Sequence, residues 1–295
     1  GSVTLRVSDD GGYTMLLGCA DMGTGCDTIL AQMAADMLNC PIENIAVLSG
    51  DTDASPYDSG SYASSTTYIT GMACVKCCKE LTERIIAYGA EMLGCRPEEA
   101  EFDGESVLLT ENPGEKVSLR EISYKAQSGS GRALEATASH SSPTSPPPYM
   151  VGAAEVDIDP ETGKLTVVRY EAAVDCGTVV NENLARVQAE GGILQGIGMA
   201  VMEDIVYDEK GRDMSNSFMQ YRLPTKEDTG RIHVQFCPSY EPTGPFGAKS
   251  IGEVVINTPA PAIANAVYNA TGLRFRELPI TAEKILLALR EKDGR

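Results

Sequence analysis

Residues 153–173, AAEVDIDPETGKLTVVRYEAA, decide the fold. Two strand-like runs, Ala153–Ile158 and Leu165–Ala173, flank the turn-forming stretch Asp159-Pro160-Glu161-Thr162-Gly163-Lys164. Strand-forming residues on either side of a Pro- and Gly-bearing turn predict a β-hairpin. A helical pattern, Leu184–Met202, follows, then strand-like runs at Ile205–Tyr207 and His233–Cys237. The N-terminal half begins on the same plan: Val3–Val7, the turn Asp9-Asp10-Gly11-Gly12, then Tyr13–Leu17. A helical pattern at Thr28–Leu38 and a strand at Ile45–Leu48 complete it. The predicted class is α+β, with duplicated hairpin–helix–strand units forming two mixed sheets on which helices pack. Further helices are expected at 70–93, 118–126, 258–270 and 281–292.

Between the two units lies QSGSGRALEATASHSSPTSPPP, residues 127–148, rich in Ser, Gly and Pro and without an apolar period. It reads as a connector. It divides the chain into residues 1–148 and 149–295, the second half carrying Glu253.

The chain has 295 residues, with 24 Lys and Arg against 42 Asp and Glu, a net charge of −18. Such a charge disfavours nucleic acid and anionic lipid, because each bound phosphate needs a cation to displace its counterions. No apolar run approaches the ~20 residues of a membrane span. Two histidines 93 residues apart, His140 and His233, make a His-based metal centre a poor fit, and no protein metal ligand is assigned. Nine cysteines in so large a chain point to a reducing, cytoplasmic setting. Cys74, Cys77 and Cys78 read as small apolar side chains on one helix face rather than zinc ligands.

The chemically suggestive residues lie where loops enter helices. The first loop is Asp21-Met22-Gly23-Thr24-Gly25-Cys26-Asp27-Thr28. Paired glycines before a helix can turn backbone N–H groups toward an anion, or form a tight turn capped by Asp27 or Thr28. The second, Asp58 to Thr67, offers hydroxyls and small side chains in Tyr62, Ala63, Ser64, Ser65 and Thr66. It reads equally as a phosphate wrap or a plain surface loop. The third runs from Asp175-Cys176-Gly177 through Asn181 and Gln188 to Gly191-Gly192 and Gln195-Gly196-Ile197-Gly198. Glycine costs ~1 kcal/mol within a helix, so four of them imply close approach by another backbone or a ligand. The fourth, Gly244 to Glu253, reads GPFGAKSIGE and sets Glu253 beside Val254-Val255-Ile256. Burial there would raise its pKa toward that of a general base; a surface glutamate beside a turn is the plainer reading. Asp51, Asp53 and Asp58 lack the spacing and terminal Glu of a calcium loop. A metal-dependent hydrolase built on them is the weakest alternative.

In this order the loops resemble the molybdenum hydroxylase family: xanthine dehydrogenase, aldehyde oxidase, nicotinate dehydrogenase and relatives. The match is to the C-terminal molybdopterin-binding domain of the large subunit, nearly end to end. GAKSIGE resembles the family's GxKGxGE; DCGTVVN with QGIGMA, SYASST after DMGTG, and AEVDIDPETGK complete the ordered set. Thr24 stands where many relatives carry Gln, and Val254-Val255 where two prolines are common. The resemblance implies oxidation of a heteroaromatic or aldehyde carbon with water-derived oxygen, and Glu253 as the catalytic base. It implies a cofactor of molybdopterin with molybdenum, with or without a cytosine dinucleotide. The cofactor contacts are Gly23, Thr24, Gly25, Tyr62, Ala63, Ser64, Ser65, Thr66, Gln195 and Lys249. The 2Fe–2S clusters and FAD belong to other domains or subunits, and the substrate is a small molecule. The glycine-rich first molybdopterin domain does not occur in these residues. The chain is therefore expected to be a fragment or split subunit, inactive alone, with that first domain and the iron–sulfur and flavin subunits as partners. A noncatalytic assembly subunit that keeps the fold is the alternative.

Overall fold

A computed structural model of the chain describes residues 1–130 and 134–294. They form two compact units, the first of residues 1–146 with 240–250, the second of 147–239 with 251–294. The second half of the chain thus lends the first unit a short segment, a transfer that division at the connector does not anticipate.

In the first unit, β1 (Ser2–Val7) and β2 (Tyr13–Leu17) form the expected hairpin, with Val3 opposite Leu17. Alternation sends Val3, Leu5, Val7, Tyr13, Met15 and Leu17 into the core. Helix α1 (Cys26–Leu38) returns the chain to β3 (Ile45–Ser49), which lies parallel to β2. Helix α2 (Gly71–Leu93) packs across this sheet with Cys74, Cys77, Cys78, Leu81 and Ile85 fully buried. The three cysteines are free and act as small core side chains. Cys77 donates to the Ala136 carbonyl at 3.2 Å, and burial pushes its thiol up to about 12.

Two features here exceed the sequence expectation. A third, antiparallel sheet forms from β4 (Ala100–Phe102), β5 (Ser106–Leu109) and β6 (Asn112–Ser118). Helix α3 (Leu119–Ser130) follows. The supposed connector then contributes a strand, β7 (Glu135–Ser139), on the free edge of β1. Its small polar residues are cross-strand partners: the hydroxyls of Ser2 and Ser139, and those of Thr4 and Thr137, meet at 2.8 Å. The connector's residues 131–133 lie outside the described residues.

The second unit repeats the topology. β8 (Tyr149–Ile158) and β9 (Leu165–Asp175) are antiparallel, helix α4 (Glu182–Val201) crosses over, and β10 (Thr229–Phe236) lies parallel to β9. Sheet orders β3-β2-β1 and β10-β9-β8 are the same arrangement used twice, which is the α+β duplication read from the sequence. Ile205–Tyr207 is not a strand; Tyr207 forms only an isolated bridge to Asp213. Helices α5 (Val254–Asn257), α6 (Pro259–Thr271) and α7 (Ala282–Lys292) complete the unit. Tyr170, Val174, Ile193, Ile197, Val255 and Ile263 form its core. Thr258 stands at the N-cap of α6 without a side-chain capping bond: its hydroxyl meets the Tyr170 hydroxyl at 2.8 Å, while Pro259 takes the first helical position. Among the described residues no helix is long and apolar enough to cross a membrane.

Candidate cofactor site

Three of the four loops converge in the first unit. The Ser61 hydroxyl donates to the Ala20 carbonyl at 3.1 Å and accepts from the Ala20 N–H at 3.3 Å, tying the second loop to the first. The second loop ends in one π-type turn, Thr66–Thr70, that leads into α2. From it the Tyr68 hydroxyl reaches the Thr243 hydroxyl at 2.7 Å. Gly71 lets Pro245 approach, since a Cβ there would lie 2.7 Å from the proline ring. The borrowed segment 240–250 is thereby fastened beside the other two loops, with Lys249 buried. The Thr243 hydroxyl and N–H, then the Lys249 charge, hold the Glu241 carboxyl below its ordinary value.

Backbone strain concentrates here. Ala63 and Ser64 have φ of 51° and 53°, and Phe246 has 54°; Asn39, at the end of α1, is the other described non-glycine in that region. Left-handed conformation costs an L-residue ~1–2 kcal/mol, and such strain gathers where a backbone is shaped for a ligand.

The first loop has an organiser that the sequence reading passed over. Asp21 Oδ1 accepts from the N–H groups of Gly23 at 2.9 Å and Gly25 at 3.1 Å, and Oδ2 from Asp27 N–H at 3.4 Å. Burial works to raise the Asp21 pKa, but these N–H groups together outweigh it and hold the carboxyl below its ordinary value. Neither Asp27 nor Thr28 caps α1; Gly25 stands at the N-cap with φ 74°. The same Asp-x-Gly turn recurs in two other loops, Gly60 N–H to Asp58 and Gly177 N–H to Asp175, both at 2.9 Å. An aspartate two residues before a glycine was the legible signal.

Two of the acidic trio hold their own turns. Asp51 and Asp58 accept the N–H groups of Asp53 and Gly60, each at 2.9 Å, so they brace their own turns. Among the described residues, the group of three whose ligand-type atoms lie within 4.8 Å of one another is Asp21, Cys26 and Asp27. There the Asp21 oxygens serve the loop, and an Asp27 oxygen accepts from the Ser49 hydroxyl at 2.8 Å.

The second unit supplies Gln195 and Glu253. Asn181 Oδ1 caps α4 by accepting from Leu184 N–H at 3.1 Å. The glycines of α4 make room for this unit's own chain. A Cβ on Gly192 would meet Val255 at 2.3 Å, and one on Gly196 would meet Pro259 at 2.7 Å and the Ile256 carbonyl at 2.8 Å. Gly191 faces open space. Gln195 is exposed on the helix surface. Glu253 is exposed too, contrary to the burial considered from its apolar neighbours. It occupies the N-cap position of α5, and Val255, two residues on, is the side chain that turns inward.

Loops carrying paired glycines, hydroxyls and left-handed backbone at helix starts define a cofactor-binding α+β protein whose donors suit phosphate. The open space at Gly23, with φ 98° and nothing within 4 Å of a notional Cβ, fits the close approach of a cofactor. The family model described as "Molybdopterin cofactor-binding domain" matches residues 1–230. The chain belongs to this family, that of the molybdenum hydroxylases. It is 38% identical over 287 residues to a protein of Escherichia coli (strain K12) named probable hypoxanthine oxidase XdhD, covering 97% of this chain and 30% of that one. Its fold is similar to that of quinoline 2-oxidoreductase from Pseudomonas putida 86, with a TM-score of 0.87 and 28% identity over 98% of this chain and 38% of that one. A Cu,Mo-CO dehydrogenase gives 0.88 and 26%, over 99% and 38% respectively. The chain spans about a third of the length of the curated relatives it matches.

Proposed function

We propose that this chain is the C-terminal molybdopterin-binding part of a molybdenum hydroxylase that oxidises a heteroaromatic or aldehyde carbon with oxygen from water. The observation that carries the reading is the mounting of Glu253. Glu253 is exposed at the head of a short helix, which Val255 locks against the notch at Gly192. An acid fixed in place but not buried in its own unit is suited to face a reacting water.

When bound, the molybdenum cofactor supplies the two-electron oxidation. The chain's own residues hold it and move one proton. Backbone and hydroxyl groups of Gly23, Thr24, Gly25, Ala63, Ser64, Ser65 and Thr66 receive its anionic end mainly through neutral donors, which suits a protein of net charge −18. Tyr62, exposed beside the strained pair, limits the size of group admitted, and the Gln195 amide offers both a donor and an acceptor. Lys249 adds one positive charge. Glu253 accepts the proton of the water whose oxygen enters the product.

2Fe–2S and FAD groups held by other domains or subunits would accept the electrons. The glycine-rich first molybdopterin part completes the site, so this chain alone has no turnover. Nine free cysteines support a cytoplasmic setting.

Ser64→Asp in the complete protein tests the cofactor assignment. Aspartate tolerates the left-handed backbone of that position but places a carboxylate where the cofactor's anionic end is to sit. Molybdenum and pterin content are expected to fall at least tenfold with the circular dichroism unchanged. Full occupancy of that variant, or turnover by residues 1–295 alone, contradicts the reading.

A further inference from the structure

Between α4 and β10 the chain makes an excursion, residues 203–228, that is long for an unstructured loop. It is built, not slack. Met214 N–H donates to the Val206 carbonyl at 2.7 Å and Asp208 N–H to the Arg212 carbonyl at 3.0 Å, forming a small hairpin. A second turn closes with Tyr221 N–H donating to the Ser217 carbonyl at 2.8 Å. The Tyr221 hydroxyl donates to Glu203 at 2.6 Å and fastens this turn to the arm's base. A Cβ on Gly198 of α4 would lie 2.8 Å from Pro224, so the other end is seated closely as well.

Several backbone polar groups are thus paired within the arm while its large apolar side chains are exposed. Ile205, Val206, Tyr207 and Met214 are each at least half exposed, and Phe218 and Met219 are 83% and 82% exposed. Six large apolar side chains exposed on one preformed arm mark an interaction site. These side chains offer several hundred Å², the same order as the roughly 800 Å² per partner in a standard interface.

We infer that this arm docks onto the part of the molybdenum-binding polypeptide that relatives carry outside the stretch matched here. Relatives extend the matched 30–38% by about twice its length, which supplies the occupant. Charge argues against a second copy. The arm holds seven acidic and four basic residues between 203 and 228, and the chain carries −18, so pairing the same face with itself gathers like charges. An apolar face with neutral or basic surroundings is the complement. The inference rests on the proposed function for the identity of the partner but adds the surface by which it is held.

The test uses the complete protein or complex. A photo-crosslinking benzoylphenylalanine in place of Phe218 is expected to join a peptide of the molybdenum-binding polypeptide outside residues 1–295. A link to residues 1–295 of a second copy, a link to an unrelated protein, or no link overturns the inference. Phe218→Ser with Met219→Ser is expected to speed tryptic cleavage after Arg212 and Arg222 at least tenfold; an unchanged rate overturns it too. Molybdenum content of the unmodified complex is read in parallel. A metal-free complex that still gives the cross-link fails the proposed function alone, and a loaded complex without the link fails the arm alone.

Discussion

The glycine loop of the first unit and the glycine-studded helix of the second present similar sequences for different reasons. In Gly23-Thr24-Gly25 both glycines have positive φ, and an aspartate gathers their N–H groups. In α4, Gly192 and Gly196 stand within a regular helix and are small because Val255, Ile256 and Pro259 press against them. The first pair shapes a backbone toward the outside of its unit. The second pair brings elements together inside its unit, and so fixes the helix that carries Glu253. Glycine therefore signals conformation in one place and proximity in the other, and side chains added at each should fail differently.

The largest effect is expected in the helix. Gly196→Val drives a branched side chain into Pro259 and the Ile256 carbonyl, and should cost about 3 kcal/mol by overpacking, read as a lower urea midpoint. A loss under 1 kcal/mol would mean that α5 and α6 yield easily, and the rigid mounting of Glu253 would be lost from the account.

An intermediate effect is expected in the loop. Asp21→Ala removes the acceptor for three N–H groups and should cost about 1–2 kcal/mol, with faster amide exchange at Gly23 and Gly25. The sign with pH follows from the depressed carboxyl. Its contribution is present above the ordinary carboxylate value of 3.8 and is lost as pH falls through the lower value of the folded state. Loop protection in the natural protein should therefore persist at about pH 5 and disappear only in stronger acid. Protection lost already at pH 5 would assign the loop's order to something other than Asp21.

Gly191 sharpens the comparison at the small end. It neighbours Gly192 in sequence but meets nothing within 4 Å, so Gly191→Ala should stabilise the helix by up to about 1 kcal/mol. Destabilisation in the isolated chain would contradict the open environment. A gain in stability accompanied by weaker assembly of the complete protein would show that a partner approaches the helix there.

The fold's duplicated plan was legible because hairpins announce themselves locally: apolar alternation, a Gly-bearing turn, then a helical period. β7 was not. Its residues Glu135-Ala136-Thr137-Ala138-Ser139 are small and polar, and their strand character comes from Ser2 and Thr4 on a partner more than 130 residues away. Ile205–Tyr207 erred in the opposite direction, since apolar residues looked like a strand but lie exposed on an arm. Of the candidate site, the four loops were visible as motifs. What joins three of them was hidden: the Ser61–Ala20 and Tyr68–Thr243 bonds span 41 and 175 residues. Glu253 stood out in the sequence beside its apolar neighbours, but the residue that turns inward is Val255, because a short helix turns only one side to the core.

The central claim is that Glu253 is the proton acceptor of a molybdenum-dependent oxidation, and Glu253→Gln in the complete, cofactor-loaded enzyme tests it most directly. Glutamine keeps the size and exposure of the side chain but cannot take the proton. The expected result is a fall in kcat of about 100-fold or more with molybdenum content and melting temperature unchanged. A variant that retains both its molybdenum and near-natural kcat would contradict the account.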